Sequence, residues 1–262
     1  MSEVRLLRGD ASATLTIANP ARGNAMTPAM MADATRLLAE LASDVGGGVC
    51  SLVVRGQGMR AFSAGYDLGA LADETRERPN LVIPELIDLV QALLAFPGPT
   101  IAMLNGHAIG GGALLASLCD LRYARAGVRF RIPTTRIGIL YPLAGLRRLV
   151  SLVGLGTAAR VLMLGDDVST DEGLAWQLYQ GVEADVAALE ARIGYVRTEL
   201  AARAPLALRG SAVMLRSLSD GTPADGVAQL HADWLARCVA SRDLAEGLAA
   251  ARERRPPQFG GA

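Results

Sequence analysis

The sequence predicts an α/β domain that ends in helices. Short apolar runs of strand character alternate with helical patterns up to about residue 140, the signature of strands joined by crossover helices. After about residue 142 the patterns are helical. The 262 residues are 51% apolar and 20% charged, so they support one large core, alone or with a small helical appendage.

Each element has its own signal. Ala13 to Ala18 alternates as a half-buried strand does. Thr27-Pro28 starts a helix, with Thr as N-cap and Pro at the first helical position. Leu37, Leu38 and Leu41 give that helix an apolar stripe, and Gly46-Gly47-Gly48 closes the unit. Cys50 to Arg55 reads as a short buried strand, followed by a Gly/Ser-rich loop from Gly56 to Asp67. Leu81 to Phe96 is helical, beginning near Pro84. Pro99 to Leu104 and Leu121 to Ala124 are the next strands, with a helix over Ala113 to Leu118 between them. In the helical half, Ser169-Thr170-Asp171-Glu172 is a capping box. Thr222-Pro223 repeats the earlier helix start. The helix after it places Val227, Leu230, Trp234, Leu235 and Cys238 on related faces. No repeat of fixed period is present.

Charge and composition exclude several functions. The 26 basic residues balance 26 acidic ones with no basic face, which argues against nucleic acid and acidic membrane surfaces as partners. The opening MSEVRLLRGD lacks the apolar core of a signal peptide, and no apolar run is long enough to span a bilayer. Cys50, Cys119 and Cys238 are far apart and odd in number. They read as reduced thiols of a cytoplasmic protein. Neither of the two histidines lies near a cysteine pair, so no metal site is expected.

The most informative stretch is IAMLNGHAIGGGALLASLCDL, residues 101–121. A strand stops at Asn105-Gly106, and Gly110-Gly111-Gly112 opens directly into a helix. A helix that begins on bare glycines presents unpaired N–H groups and the positive end of its dipole. An anionic oxygen can approach it closely. That suits an oxyanion hole. A glycine turn that lets the helix pack tightly on the strand has the same spacing, and spacing alone leaves both readings open. A second glycine, Gly65, lies in RAFSAGYDL (60–68), where Asp67 can cap a short helix and aim the Tyr66 N–H out of the turn. On its own this segment reads as an ordinary capped loop.

Together, AFSAGYDL and NGHAIGGGALLASLCDL resemble the enoyl-CoA hydratase/isomerase (crotonase) superfamily. PARGNAMT (20–27) resembles its first substrate loop. FRIPTTRIGI (130–139) resembles the segment after the catalytic strand, and AEGLAAARERRPPQF (245–259) its C-terminal segment. The resemblance implies a crotonase-type (ClpP-like) ββα spiral core over 1–195 and a C-terminal helical trimerisation region over 196–262. It also implies an acyl-CoA thioester substrate, with coenzyme A as part of the substrate and no separate cofactor, and a homotrimer or a hexamer built as a dimer of trimers. Carried over, the oxyanion donors are the backbone N–H groups of Tyr66 and Gly111. Asn24, Ala25, Met26, Ala64 and Asp67 fall in the loops that contact the nucleotide and pantetheine. Phe259 matches a CoA contact made from the C-terminus.

The chain departs from the hydratase pattern. The two glutamates that activate water in hydratases fall on Leu114 and Thr134, and neither residue can act as a general base. Tyr141, in IGILYPLAG (137–145), resembles the tyrosine that faces the departing carboxylate in the methylmalonyl-CoA decarboxylase branch. Tyr is a donor at neutral pH, and decarboxylation needs no base. That branch carries His where this chain has Tyr66. An amphipathic core role for Tyr141 stands beside the catalytic one. Arg136, His107, His231 and Asp120 each have an ordinary structural reading. Gly154-Leu155-Gly156-Thr157-Ala158-Ala159 spells a loose dinucleotide fingerprint, but helical residues precede it, so it reads as a turn between helices. The expectation is an enzyme that stabilises a thioester enolate, more of decarboxylase than hydratase type. The alternatives are a hydratase or isomerase with an unrecognised base, and a silent acyl-CoA-binding protein.

Overall fold

The computed structural model describes residues 2–43, 49–77 and 83–261. The expected Gly46–Gly48 stop, and Leu81 and Val82 at the start of the expected helix, lie outside the described residues. The strands form two sheets. The larger has six, in the order β1 (Glu3–Arg8), β2 (Ser12–Ala18), β3 (Ser51–Gly56), β5 (Thr100–Leu104), β7 (Leu121–Arg125) and β9 (Gly181–Glu183). β1 is antiparallel to β2, and the other pairs are parallel. The smaller sheet holds β4 (Ala61–Ser63), β6 (His107–Ile109) and β8 (Phe130–Arg131), all parallel.

The chain passes from one sheet to the other and returns through helices. β3 and β4 lead to α2 (Leu68–Glu77) and α3 (Pro84–Ala95). β5 and β6 lead to α4 (Gly111–Leu118), and β7 and β8 to α5 (Leu143–Ala159). This is the ββα spiral that the resemblance implies. The turns begin at Ser51, Thr100 and Leu121, at unequal intervals. The sequence therefore shows no fixed period. Asn105, fully buried, staples two turns together: its side chain accepts from the Gly56 amide and donates to the Gly56 and Gly58 carbonyls.

Two-residue alternation divides the core between the faces of the large sheet. Leu52, Val54, Ala102 and Leu104 face α1 (Pro28–Ser43), α3 and α4 in the main cluster. Val53, Ile101 and Met103 face α7 (Val186–Ala201), where they meet Leu189, Ile193 and Val196. Each such side chain, once buried, stabilises the fold by about 1.5–3 kcal/mol relative to exposure. α7 runs unbroken through the expected boundary at 195/196. α8 (Pro205–Asp220), α9 (Ala224–Ala240) and α10 (Arg242–Glu253) follow, with α8 packed on α9 and α5.

The capping signals read from sequence are present with one refinement. Ser169 and Glu172 form the reciprocal capping box of α6 (Thr170–Ala175), and the Met30 amide donates to the Thr27 hydroxyl at the start of α1. α9 starts one residue later than its Thr-Pro pair suggests. Pro223 occupies the N-cap and the Thr222 hydroxyl turns back to Asp220. The GxGxxA segment is no phosphate loop: Gly154 has φ +75 and kinks α5 into two helical pieces. Among the described residues no helix is long and apolar enough to cross a membrane.

Candidate active site

Gly65 and Gly111 come from different turns of the spiral and meet. A methyl group on Gly65 would stand 2.6 Å from the Gly111 nitrogen, and one on Gly111 would stand 3.3 Å from the Tyr66 nitrogen. The local backbone explains the convergence. Met26 bridges Tyr66 as a parallel pair, its amide donating to the Gly65 carbonyl and its carbonyl accepting from the Asp67 amide. In a parallel bridge the groups that pair belong to residues 65 and 67, so the Tyr66 N–H points away from Met26.

The three glycines of the second turn have three different reasons. Gly110 has φ +54, which residues with a Cβ rarely adopt. Gly111 opens α4, where its amide has no carbonyl within the helix to bond. Gly112 lies against β4, and a methyl there would come within 2.8 Å of the Ser63 side chain. The tight-packing reading holds at Gly112; Gly111 beside it is the position that the oxyanion reading invokes. The positive end of α4 lies close to the Tyr66 nitrogen.

Around this point the first substrate loop is held firmly. Asn24 sits at φ +58 and is buried. Its side-chain nitrogen donates to the Gln57 and Ala61 carbonyls, and its side-chain oxygen accepts from the Asn19 amide. Ala25 and Met26 are buried behind it, while Ala64 is exposed and donates its amide to the Gly23 carbonyl. Ser63, not singled out from sequence, ties the loops together: its hydroxyl donates to the Asn24 carbonyl and accepts from the Gly65 amide. Asp67 caps α2 through the Gly69 and Ala70 amides and pairs with Arg22 at 2.5 Å. The hydrogen bond from Arg22 holds the Asp67 carboxyl below its usual range, helped by those amides.

Leu114 lies one helical turn after Gly111 and is fully buried. A methyl on Gly145 would stand 2.5 Å from both the Leu114 and the Tyr141 side chains, so the three residues pack together. Tyr141 is 4% exposed and its hydroxyl makes no hydrogen bond. Burial pushes its pKa up, opposed by nearby Ser117, whose own hydroxyl is committed to the Ala113 carbonyl. That places the phenol at the inner end of α4, roughly 9 Å along the helix from Gly111 at 1.5 Å per residue. Thr134 is half-buried at the start of the 3₁₀ turn Thr134–Ile137, and Leu140 is 85% exposed. Phe259 lies far along the chain from these groups. Its ring rests on Gly247 of α10, beside a cavity of about 240 Å³ lined by Ala204, Leu206, Leu244 and Leu248.

The other candidates have structural partners. Arg136 reaches the Leu164 carbonyl and Asp166. His107 accepts from the Arg129 amide, and burial lowers its pKa. Asp120 receives Thr100 and Arg216. Cys119 is buried with its thiol pushed up to about 12 by desolvation.

A family model described as enoyl-CoA hydratase/isomerase matches residues 8–262. The chain belongs to the enoyl-CoA hydratase/isomerase family. Its relatives in that family include the 2,3-dehydroadipyl-CoA hydratase of Escherichia coli, 30% identical over 100% of both chains. A probable enoyl-CoA hydratase of Mycobacterium tuberculosis is 32% identical over 99% of this chain and 100% of its own. Among solved structures, an enoyl-CoA hydratase/carnithine racemase from Magnetospirillum magneticum superposes with a TM-score of 0.87 at 29% identity, covering 100% of this chain and 97% of that one. An enoyl-CoA hydratase from Bacillus anthracis, at 23% identity and TM-score 0.90, shares the crotonase fold over 99% of this chain and 100% of its own.

Proposed function

We propose that this member of the enoyl-CoA hydratase/isomerase family removes a carboxylate from a short malonyl-type acyl-CoA. The Tyr66 and Gly111 amides would hold the thioester oxygen. The observation that carries this reading is the meeting of those two turns beside Leu114, together with Thr at position 134, so that neither family position holds a carboxylate. The bond to the carboxylate breaks, CO₂ leaves, and its electron pair moves onto the thioester oxygen. The resulting enolate then takes a proton from water at the α carbon. No base is needed, and the two amides supply most of the stabilisation. In this reading the Tyr141 hydroxyl turns out from behind Leu114 to donate to the substrate carboxylate. Asn24, Ala25, Met26, Ala64 and Asp67 frame the pantetheine arm and nucleotide, and Phe259 covers the nucleotide of a neighbouring subunit. The active assembly is a homotrimer or a dimer of trimers. Exposed Leu215 and Leu218 of α8, with Leu235 and Val239 of α9, supply the apolar surface for it.

The names of the relatives favour a second reading, hydration of a 2,3-enoyl-CoA. That reaction needs a base to activate water, and this chain has none at either family position.

A panel of CoA thioesters that includes methylmalonyl- and ethylmalonyl-CoA, followed by mass spectrometry in heavy water, separates the readings. Loss of CO₂ with deuterium uptake is expected; gain of water would establish hydration instead. Binding without product would leave an acyl-CoA-binding protein. Tyr141→Phe is expected to slow decarboxylation at least about tenfold while leaving CoA affinity unchanged. It should also raise thermal stability, because a buried hydroxyl without a partner costs about 1–3 kcal/mol. Unchanged turnover would remove Tyr141 from the mechanism.

A further inference from the structure

Three arginines from three different elements gather just past the carbonyl end of α4, and two of them, Arg122 and Arg148, bond its last carbonyls. Arg122, at the start of β7, donates to the Cys119 and Leu178 carbonyls and is 1% exposed. Arg148, from α5, donates to the Ser117 carbonyl at 3.1 Å and the Cys119 carbonyl at 3.2 Å. Arg216, from α8 and 5% exposed, clasps both oxygens of Asp120 and reaches the Leu94, Phe96 and Gly98 carbonyls. Among the described residues Asp120 is the one carboxylate in this cluster, so the positive charges of buried Arg122 and half-buried Arg148 are left over. Orphan carbonyls at a helix end could be satisfied by neutral donors or by water. Burying excess charge is costly, so stability alone does not account for three cations here.

The same helix begins at Gly111. It is eight residues long, about 12 Å, and it runs through an apolar core. Positive charge at its carbonyl end offsets the negative pole of the helix. It also adds to the positive potential at the amide end, with little solvent between to screen it.

We propose that Arg122, Arg148 and Arg216 are positioning residues of the oxyanion hole, which fix α4 by its far end and strengthen the field at the Gly111 amide. The proposal rests on the reading that this amide receives a thioester oxygen. It applies equally to decarboxylation and to hydration, since both build charge on that oxygen.

Arg148 is the residue to change, because it has no carboxylate within ion-pair distance among the described residues and is less buried than the other two. The probe is acetyl-CoA labelled with heavy carbon at the carbonyl, bound to the protein and read by infrared difference spectroscopy. In the wild-type protein the carbonyl stretch is expected below its value in water. In Arg148→Met it should move back toward the water value. On whichever thioester turns over, kcat should fall about tenfold with KM within about twofold, the size expected of one unit charge about 12 Å away at an effective dielectric of about 20. Arg148→Lys, which keeps the charge, should restore the frequency. If the Met variant does not fold, Arg148→Gln makes the same comparison with a donor retained. A carbonyl frequency equal in wild type and the neutral variant overturns the role of the arginines and leaves the oxyanion hole standing. A wild-type carbonyl that absorbs as in water overturns the hole itself, and this inference with it.

Discussion

Gly65 has φ +92, and a side chain there would press on the Gly111 nitrogen and stand 2.7 Å from the Ile109 carbonyl oxygen. Gly65→Ala is therefore expected to push the two turns apart and lower kcat about 10²–10³-fold, the cost of one lost oxyanion donor. Stopped assays on the preferred thioester, with circular dichroism to verify folding, check this. A rate within about threefold of wild type would mean that the amides do not act as a pair. Several residue-level features were legible in the sequence because they depend on local chemistry: the Asp67 cap, the Ser169–Glu172 box and the kink at Gly154. The roles of Asn24 and Ser63 were not. Both work by bonding backbone groups distant in sequence, and nothing local to FSAG or GNAM marks those partners.

At the scale of elements, α2 and the first substrate loop are coupled through Asp67 and Arg22. The Asp67 carboxyl has a lowered pKa in the fold, so its contribution is complete above the unfolded-state value near 3.9 and fades as pH falls through the lower folded value. Asp67→Ala is expected to cost about 1 kcal/mol at neutral pH, mostly from the lost cap. The ion pair adds little because the Arg22 side chain is 67% exposed. The difference between the two proteins should shrink below about pH 4. Urea titrations at pH 7 and pH 3 measure it, and a constant gap would show that the charge of Asp67 is irrelevant. Long helices and buried strands were readable because their periodicity spans enough residues. β1, β4, β6, β8 and β9 were missed for different reasons. β1 is a largely exposed edge strand; β4, β6 and β9 are three residues each and β8 two, too short for any period.

For the whole molecule, the proposed assembly would cover the exposed apolar residues of α8 and α9. Leu218→Glu is expected to convert an assembly of three or more chains into monomers, read by sedimentation velocity. An unchanged sedimentation coefficient would place the contact elsewhere. The sequence by itself determined the α/β class, the helical C-terminal part, the family and the absence of both family glutamates, because each is written in local pattern or in residue identity. Only the tertiary structure decided that Gly65 and Gly111 touch, that Tyr141 is enclosed with its hydroxyl unbonded, and that three arginines gather at the far end of α4. Those facts depend on where the spiral brings distant turns together, and hydrophobic packing of the whole chain sets that, not any one segment.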